Sequence, residues 1–165
     1  MNTTVAATTP MYASFGRRLV ALILDIIIIG VVQSFVIVPV LAVLGLSFGA
    51  NIQNVENMDE TQAVGMVAAI MGAMGAIWII STCISFLYFS LLESSKFQGT
   101  IGKMAMGIVV TDMEGNRISF GKAALRALGR YVSYVILCIG FLMAAFTDKK
   151  QALHDMIAST LVIKK

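Results

Sequence analysis

Asp25 is the residue whose position most needs a chemical explanation. It is the single charge in the apolar run Leu19 to Leu46. A charged group near the centre of a membrane helix costs about 2.5–3.5 kcal/mol on insertion scales, and each surrounding Leu, Ile or Val returns only about 0.3–0.6. The run still inserts, but the carboxylate needs a partner or a wet cavity. Arg18 lies seven residues earlier, on nearly the same helical face. The axial separation of about 10.5 Å is too long for a direct bond. Arg18 is therefore expected at the cytoplasmic interface with Asp25 deeper on the same stripe, each needing a group from elsewhere. Asp155, Asp148, His154 and the hydroxyls of Ser81, Thr82 and Ser85 are the candidates.

Two chemistries fit this arrangement. In one, Asp25 is a proton or cation ligand in a transport path, because an aspartate in a low-dielectric site exchanges protons closer to neutral pH. In the other, Arg18, Asp25 and Asp155 form an internal polar clamp that holds helices in register. The residues alone leave both open. Other chemistries find no support. Gly102-Lys103 looks like part of a phosphate-binding loop, but Phe97 stands where the first glycine belongs and Met104 where Ser or Thr belongs. No nucleophile with a base and an orienting group is recognisable, and His154 is the single histidine, so neither a catalytic site nor a metal or cofactor site is expected. Cys83 and Cys138 lie in apolar runs without ligand spacing and read as small buried hydrophobes.

The elements that must position these residues are membrane elements. The chain has 165 residues, 58% hydrophobic and 13% charged, against about 45–50% and about 25% in soluble domains. A soluble protein this small cannot hide that much apolar surface, and disorder needs the opposite composition. The 12 basic residues avoid Ser47 to Gln62, which carries Glu56, Asp59 and Glu60. By the positive-inside rule that acidic loop is external and the basic parts are cytoplasmic. The basic residues flank membrane segments, so lipid headgroups rather than nucleic acid are their expected partner.

Residues 1–16 read as a flexible polar tail. The first span covers about 19–46, longer than the ~30 Å hydrocarbon core requires, with Pro39 as a candidate kink. It reads as an uncleaved span rather than a signal peptide. The second, about 63–92, carries no charge. Its Ala68, Gly72 and Ala76 recur every four residues, a spacing that lets helix backbones approach closely in lipid. A cytoplasmic β-hairpin is expected at about 105–119, from the β-branched run Ile108-Val109-Val110, the turn Met113-Glu114-Gly115-Asn116 and a return arm Arg117-Ile118-Ser119. With Ser119 as N-cap, an amphipathic helix over about 120–130 places Lys122, Arg126 and Arg130 against lipid phosphates.

The last hydrophobic segment, about 131–147, is short for a span and basic on both flanks. It re-enters or crosses. A turn near Cys138-Ile139-Gly140 that returns the chain to the cytoplasm agrees better with the charges. A C-terminal strand at about 160–164 would then add a third strand to the hairpin. The fold class is thus an all-α membrane protein with two long transmembrane helices, a short third hydrophobic segment and a small cytoplasmic hairpin or three-stranded sheet.

Three patches resemble the RDD family of membrane proteins, named for one arginine and two aspartates. Arg17-Arg18-Leu19-Val20-Ala21-Leu22-Ile23-Leu24-Asp25 looks like the family's opening. Thr100-Ile101-Gly102-Lys103 with Gly107-Ile108-Val109-Val110 and Gly115 looks like its middle, with Ile101 where many members have proline. Leu153-His154-Asp155 with Ala158-Ser159-Thr160-Leu161-Val162 looks like its ending. The resemblance, over residues 12–165, implies a multi-pass protein of the bacterial inner membrane and makes Arg18, Asp25 and Asp155 the positions of interest. It also implies transport of some ligand, with sodium/proton antiport attributed to some members. The expectation is an oligomeric transporter or cation/proton antiporter, not an enzyme. Too few spans enclose a path within one chain, so a homo-oligomer is required. The alternative is a partner or assembly factor that docks a protein through the hairpin.

Overall fold

A computed structural model of the chain describes residues 11–51, 58–135 and 139–165. Most of the expected N-terminal tail, Glu56 of the acidic loop and Cys138 of the expected turn lie outside the described residues. The elements are α1 (Phe15–Asn51), α2 (Glu60–Ser94), α3 (Ile101–Ala105), β1 (Ile108–Asp112), α4 (Phe120–Val135), α5 (Ile139–Phe146), α6 (Leu153–Ile157) and β2 (Thr160–Lys164). They fall into two compact units: Ile27–Ser85, and the chain up to Ile26 together with Phe86–Lys165.

Two helices are long and apolar enough to cross a membrane, Phe15–Leu46 and Glu60–Ser94. Almost none of their apolar windows is buried by protein. Phe35 is 77% exposed and Trp78 70%. Side chains of this kind on a helix surface need lipid as their solvent. α1 continues through Pro39. Within the unit Ile27–Ser85, Gln33 donates its amide to the Ser81 carbonyl at 2.9 Å and the Ser85 hydroxyl at 3.2 Å, a polar tie between spans. Ala68, Gly72 and Ala76 face outward, and a Cβ added at Gly72 would meet nothing within 4 Å. Cys83 is exposed rather than buried, on an apolar helix surface.

In the other unit, β1 pairs antiparallel with β2 in the register Ile108↔Lys164, Val110↔Val162 and Asp112↔Thr160. The expected hairpin is corrected here. Residues 117–119 form no strand, because both edges of β1 are taken. One is occupied by β2; on the other, the Val110 N–H donates to the Gln98 carbonyl at 2.6 Å. The turn itself forms: the Asp112 carboxylate accepts from Glu114 N–H at 3.0 Å and Asn116 N–H at 2.7 Å, with Gly115 at φ 87°. Ile118 is buried in the small core with Ala13, Ala21, Ile108, Val110, Ala123 and Val162.

The third neighbour comes from the other end of the chain. Tyr12 bridges Ile163, Ala13 N–H donates to the Val162 carbonyl at 2.9 Å, and Lys164 N–H donates to the Met11 carbonyl at 2.9 Å. Residues 11–13, expected to be part of a loose tail, are thus fixed on the free edge of β2. α4 is longer than the expected 120–130, and Phe120–Val135 with Gly140–Phe146 make a pair bent by 99°, as a broken span or a re-entrant loop would be.

Candidate functional site

Asp25 lies on α1 and is fully buried. Its carboxylate accepts from the Tyr88 hydroxyl at 2.7 Å, the Thr100 hydroxyl at 2.5 Å and the Gly102 N–H at 2.8 Å. Thr100 is the N-cap of α3, so its extended backbone and hydroxyl present the first turn of that helix to Asp25. Glycine at 102 is what permits the approach: an added Cβ would lie 2.2 Å from the Ala21 carbonyl oxygen and 2.9 Å from the Asp25 carboxyl carbon. Neutral donors, not a cation, satisfy Asp25. None of Asp148, His154, Ser81, Thr82 and Ser85 is among these partners. Asp148 is exposed, and Ser81 and Ser85 serve Gln33.

Arg18 pairs instead with Asp155, as one arm of a buried ion network. Asp155 also pairs with Arg126, accepts from the Ala152 N–H at 3.2 Å and lies 3.2 Å from His154 Nε2. Arg126 reaches onward to Glu93 at 3.4 Å. Glu93 in turn pairs with Lys103 at 2.6 Å and with Arg130, whose guanidinium stacks on the Phe89 ring at 3.8 Å. Arg126 is 1% exposed and both acids 0%. The network joins α1, α2, α3, α4 and α6 through charged side chains that a bilayer protein keeps inside protein rather than lipid.

The expected headgroup role of Arg126 and Arg130 is corrected by this geometry. The arginines share the buried face of α4 with Ala123, Ala127, Gly129 and Ser133, while Leu125, Leu128 and Val132 are exposed. The helix is amphipathic but faces the opposite way, because Glu93 and Asp155 neutralise inward guanidinium groups that water would otherwise have to solvate. Lys122 is only half-buried and lies outside the network. Gly129 lets α4 approach α6: a Cβ there would lie 3.1 Å from the Cα of His154.

Electrostatics in the parts outside the spans follow from burial and neighbours. Burial alone would raise the Asp155 carboxyl, but Arg126 and Arg18 hold it well below the usual carboxylate range. Burial drives His154 well below 6.5, with Arg126, Arg130 and Lys103 adding to the effect against Asp155, so the imidazole is neutral. Burial and Arg126 push Lys103 down to about 7, against the pull of Glu93.

A cavity of about 90 Å³ opens on the network, lined among others by Arg18, Asp25, Lys103, Arg126, Arg130 and His154. Sequence reasoning missed Glu93, which lies just past the second apolar run, and missed Tyr88, Thr100, Gly102 and Lys103 as partners of buried acids. One signal was present: Arg126 and Arg130 share their helical face with small residues, the pattern of a close-packed interior rather than a lipid-facing surface.

Residues 12–159 match the RDD family. The chain belongs to the RDD family. It is 37% identical over 158 residues to the uncharacterized protein YxaI of Bacillus subtilis, covering 93% of this chain and 97% of that one. It is 26% identical over 157 residues to the uncharacterized membrane protein YteJ of the same organism, covering 94% and 82%. A proline-rich antigen of Mycobacterium leprae is 31% identical over 111 residues, covering 67% of this chain and 43% of the antigen. No solved structure matches. As an RDD protein with two apolar helices of spanning length, the chain is a membrane protein.

Proposed function

We propose that this RDD protein binds and moves a small solute across the bacterial cytoplasmic membrane. The cavity beside Arg18, Lys103, Arg126 and Arg130 is the binding centre. The observation that carries this reading is the cavity itself: about 90 Å³ with a mostly apolar wall, into which Arg18, Asp25, Lys103, Arg126, Arg130 and His154 bring ionisable groups. Ionisable residues kept within a membrane protein around a space are the usual mark of a solute or ion path. Of the two chemistries open for Asp25, the structural one is better supported, since three neutral donors already hold its carboxylate against α3. Asp25 is then a positioning residue for Lys103 rather than the carrier of a proton or cation.

The working form is a homo-oligomer. Two spans enclose no path alone, and the outward stripe Ala68, Gly72 and Ala76 is available to a second copy. Both chain ends are cytoplasmic in this reading. Residues 11–13 bridge to β2, which pairs with β1, so the segments between them make no net odd crossing, and the bent pair Phe120–Val135 and Gly140–Phe146 re-enters.

The test is flux in vesicles containing the purified protein, screened over sodium, potassium, phosphate and acetate. Wild-type vesicles are expected to move at least one of these faster than protein-free vesicles, and Arg126→Lys to slow it. Flux no faster than the lipid background for every solute overturns the transport reading.

A further inference from the structure

We propose that the cavity takes an oxyanion, a carboxylate or phosphate group held by Arg18, Arg126 and Arg130. This deepens the transport reading only in sharing its cavity; binding is tested separately from movement.

The inference rests on which hydrogen-bonding groups in the lining are used and which are left over. Every carboxylate oxygen of Asp25, Glu93 and Asp155 already accepts from a donor. Asp155 accepts from Arg18, Arg126 and the Ala152 N–H, three of the roughly four lone-pair sites of a carboxylate, and His154 Nε2 lies 3.2 Å from it. The donors are in excess. Arg18 Nε and Nη2, Arg126 Nε and Arg130 Nη1 are buried with no hydrogen-bond partner among the described residues. Arg126 and Arg130 are more than nine-tenths buried, so bulk water does not reach them freely. Buried polar groups are almost always satisfied, and left-over guanidinium N–H groups demand an acceptor.

Charge points the same way. Arg18, Arg126 and Arg130 balance Asp25, Glu93 and Asp155 in and around the cavity, and Lys103, when protonated, adds a positive charge in excess. Among the buried side-chain atoms of the described residues in the lining, the unpartnered group other than the guanidinium N–H groups is Nδ1 of the neutral His154. A metal cation entering here meets committed carboxylates and repulsive guanidiniums. An oxyanion meets planar donor forks, the geometry arginine offers to carboxylate and phosphate. The space suffices, since about 10–15 Å³ accommodates one water and this cavity is several times that. Most of the wall is apolar, with Phe15, Leu19, Leu22, Phe89 and Phe141 in the lining, which suits an anion carrying a short organic chain.

The anionic group belongs either to a free solute or to a phospholipid headgroup, and the experiment separates them. Full-length protein, stripped of lipid in a neutral detergent, is titrated with radiolabelled inorganic phosphate at constant ionic strength. Saturable binding competed by acetate, and indifferent to exchange of sodium for choline, is the expected result. If phosphatidylglycerol nanodiscs displace the label and phosphatidylcholine nanodiscs do not, the source is a lipid headgroup; if neither does, it is a free oxyanion. Arg130→Gln is expected to weaken binding at least about tenfold, the scale of a charge-assisted hydrogen bond. Arg130→Lys, which keeps the pair with Glu93, covers the case in which the glutamine variant fails to fold, and is expected to weaken binding by less but measurably. The proposal is overturned if neither phosphate, acetate nor phosphatidylglycerol binds saturably, if sodium binds in competition, or if a folded Arg130 variant binds as wild type does. Binding without flux leaves the anion site standing and removes the transport reading. Cation flux without anion binding does the reverse.

Discussion

Arg126 is the residue on which the buried network turns, and its replacement gives a number to check. Its guanidinium lies between two fully buried acids, paired with Asp155 on one side and 3.4 Å from Glu93 on the other. Arg126→Met keeps most of the volume and removes the charge. Breaking a buried pair by deleting one partner costs about 3–5 kcal/mol, because the remaining charge is left in low dielectric. Here Asp155 keeps Arg18, and Glu93 keeps Lys103 and Arg130, so the lower end, about 3 kcal/mol, is expected. Asp155→Asn in the same background removes the acid that has lost one of its two arginines. The double variant should therefore be more stable than the sum of the single losses predicts, with a coupling of about 1–3 kcal/mol. The assay is reversible unfolding of purified protein in mixed micelles across an SDS series, with helicity as readout. An Arg126→Met loss within about 0.5 kcal/mol of wild type, the size of an ordinary surface change, would refute the burial argument. Additivity of the two substitutions within that margin would refute the ion pair.

Three further outcomes are expected. Gly102→Ala forces a Cβ to within 2.2 Å of the Ala21 backbone oxygen, so α3 must leave α1. A loss of about 1–3 kcal/mol should appear in the same unfolding assay, with Gly72→Ala, in open space within the chain, as the neutral comparison in a monomeric detergent preparation. Lys103, held near 7 by burial and Arg126 against Glu93, gains its proton as pH falls, which adds positive charge to the cavity. Acetate should bind more tightly at about pH 6 than at about pH 9, with the slope lost in Lys103→Met; His154 stays neutral and Asp155 ionised over that range. Affinity that rises with pH would contradict this sign. Single cysteines at Asp59 and Lys165, in a background without Cys83 and Cys138, should differ in labelling by an impermeant reagent: Asp59 from outside, Lys165 only after permeabilisation. Labelling of both in intact cells would sink the re-entrant topology.

What could be read from the chain depended on the range of the interaction. Composition and the two long apolar runs follow from transfer free energies of individual side chains, so two helices of spanning length were legible, and they are α1 and α2. The β-branched run over 108–112, the turn at Gly115 and the N-cap at Ser119 are local backbone preferences, and they too appear. The separation of Arg18 from Asp25 along one helix was plain arithmetic, and Arg18 does find its acid elsewhere.

Pairings between distant segments were not legible. A return arm at 117–119 has the right local chemistry, but only the fold reveals that Gln98 and β2 occupy both edges of β1. Periodicity gave α4 an arginine face and a leucine face without saying which one points inward. That sign is set by Glu93 and Asp155, residues 33 and 29 positions from Arg126 in the chain. Residue composition was enough to place this protein in a membrane with a charge to satisfy there, because hydrophobic transfer is a property of each residue. That neutral donors hold Asp25 while arginines crowd the neighbouring cavity emerges in the folded chain alone, because electrostatic satisfaction is a property of which residues meet.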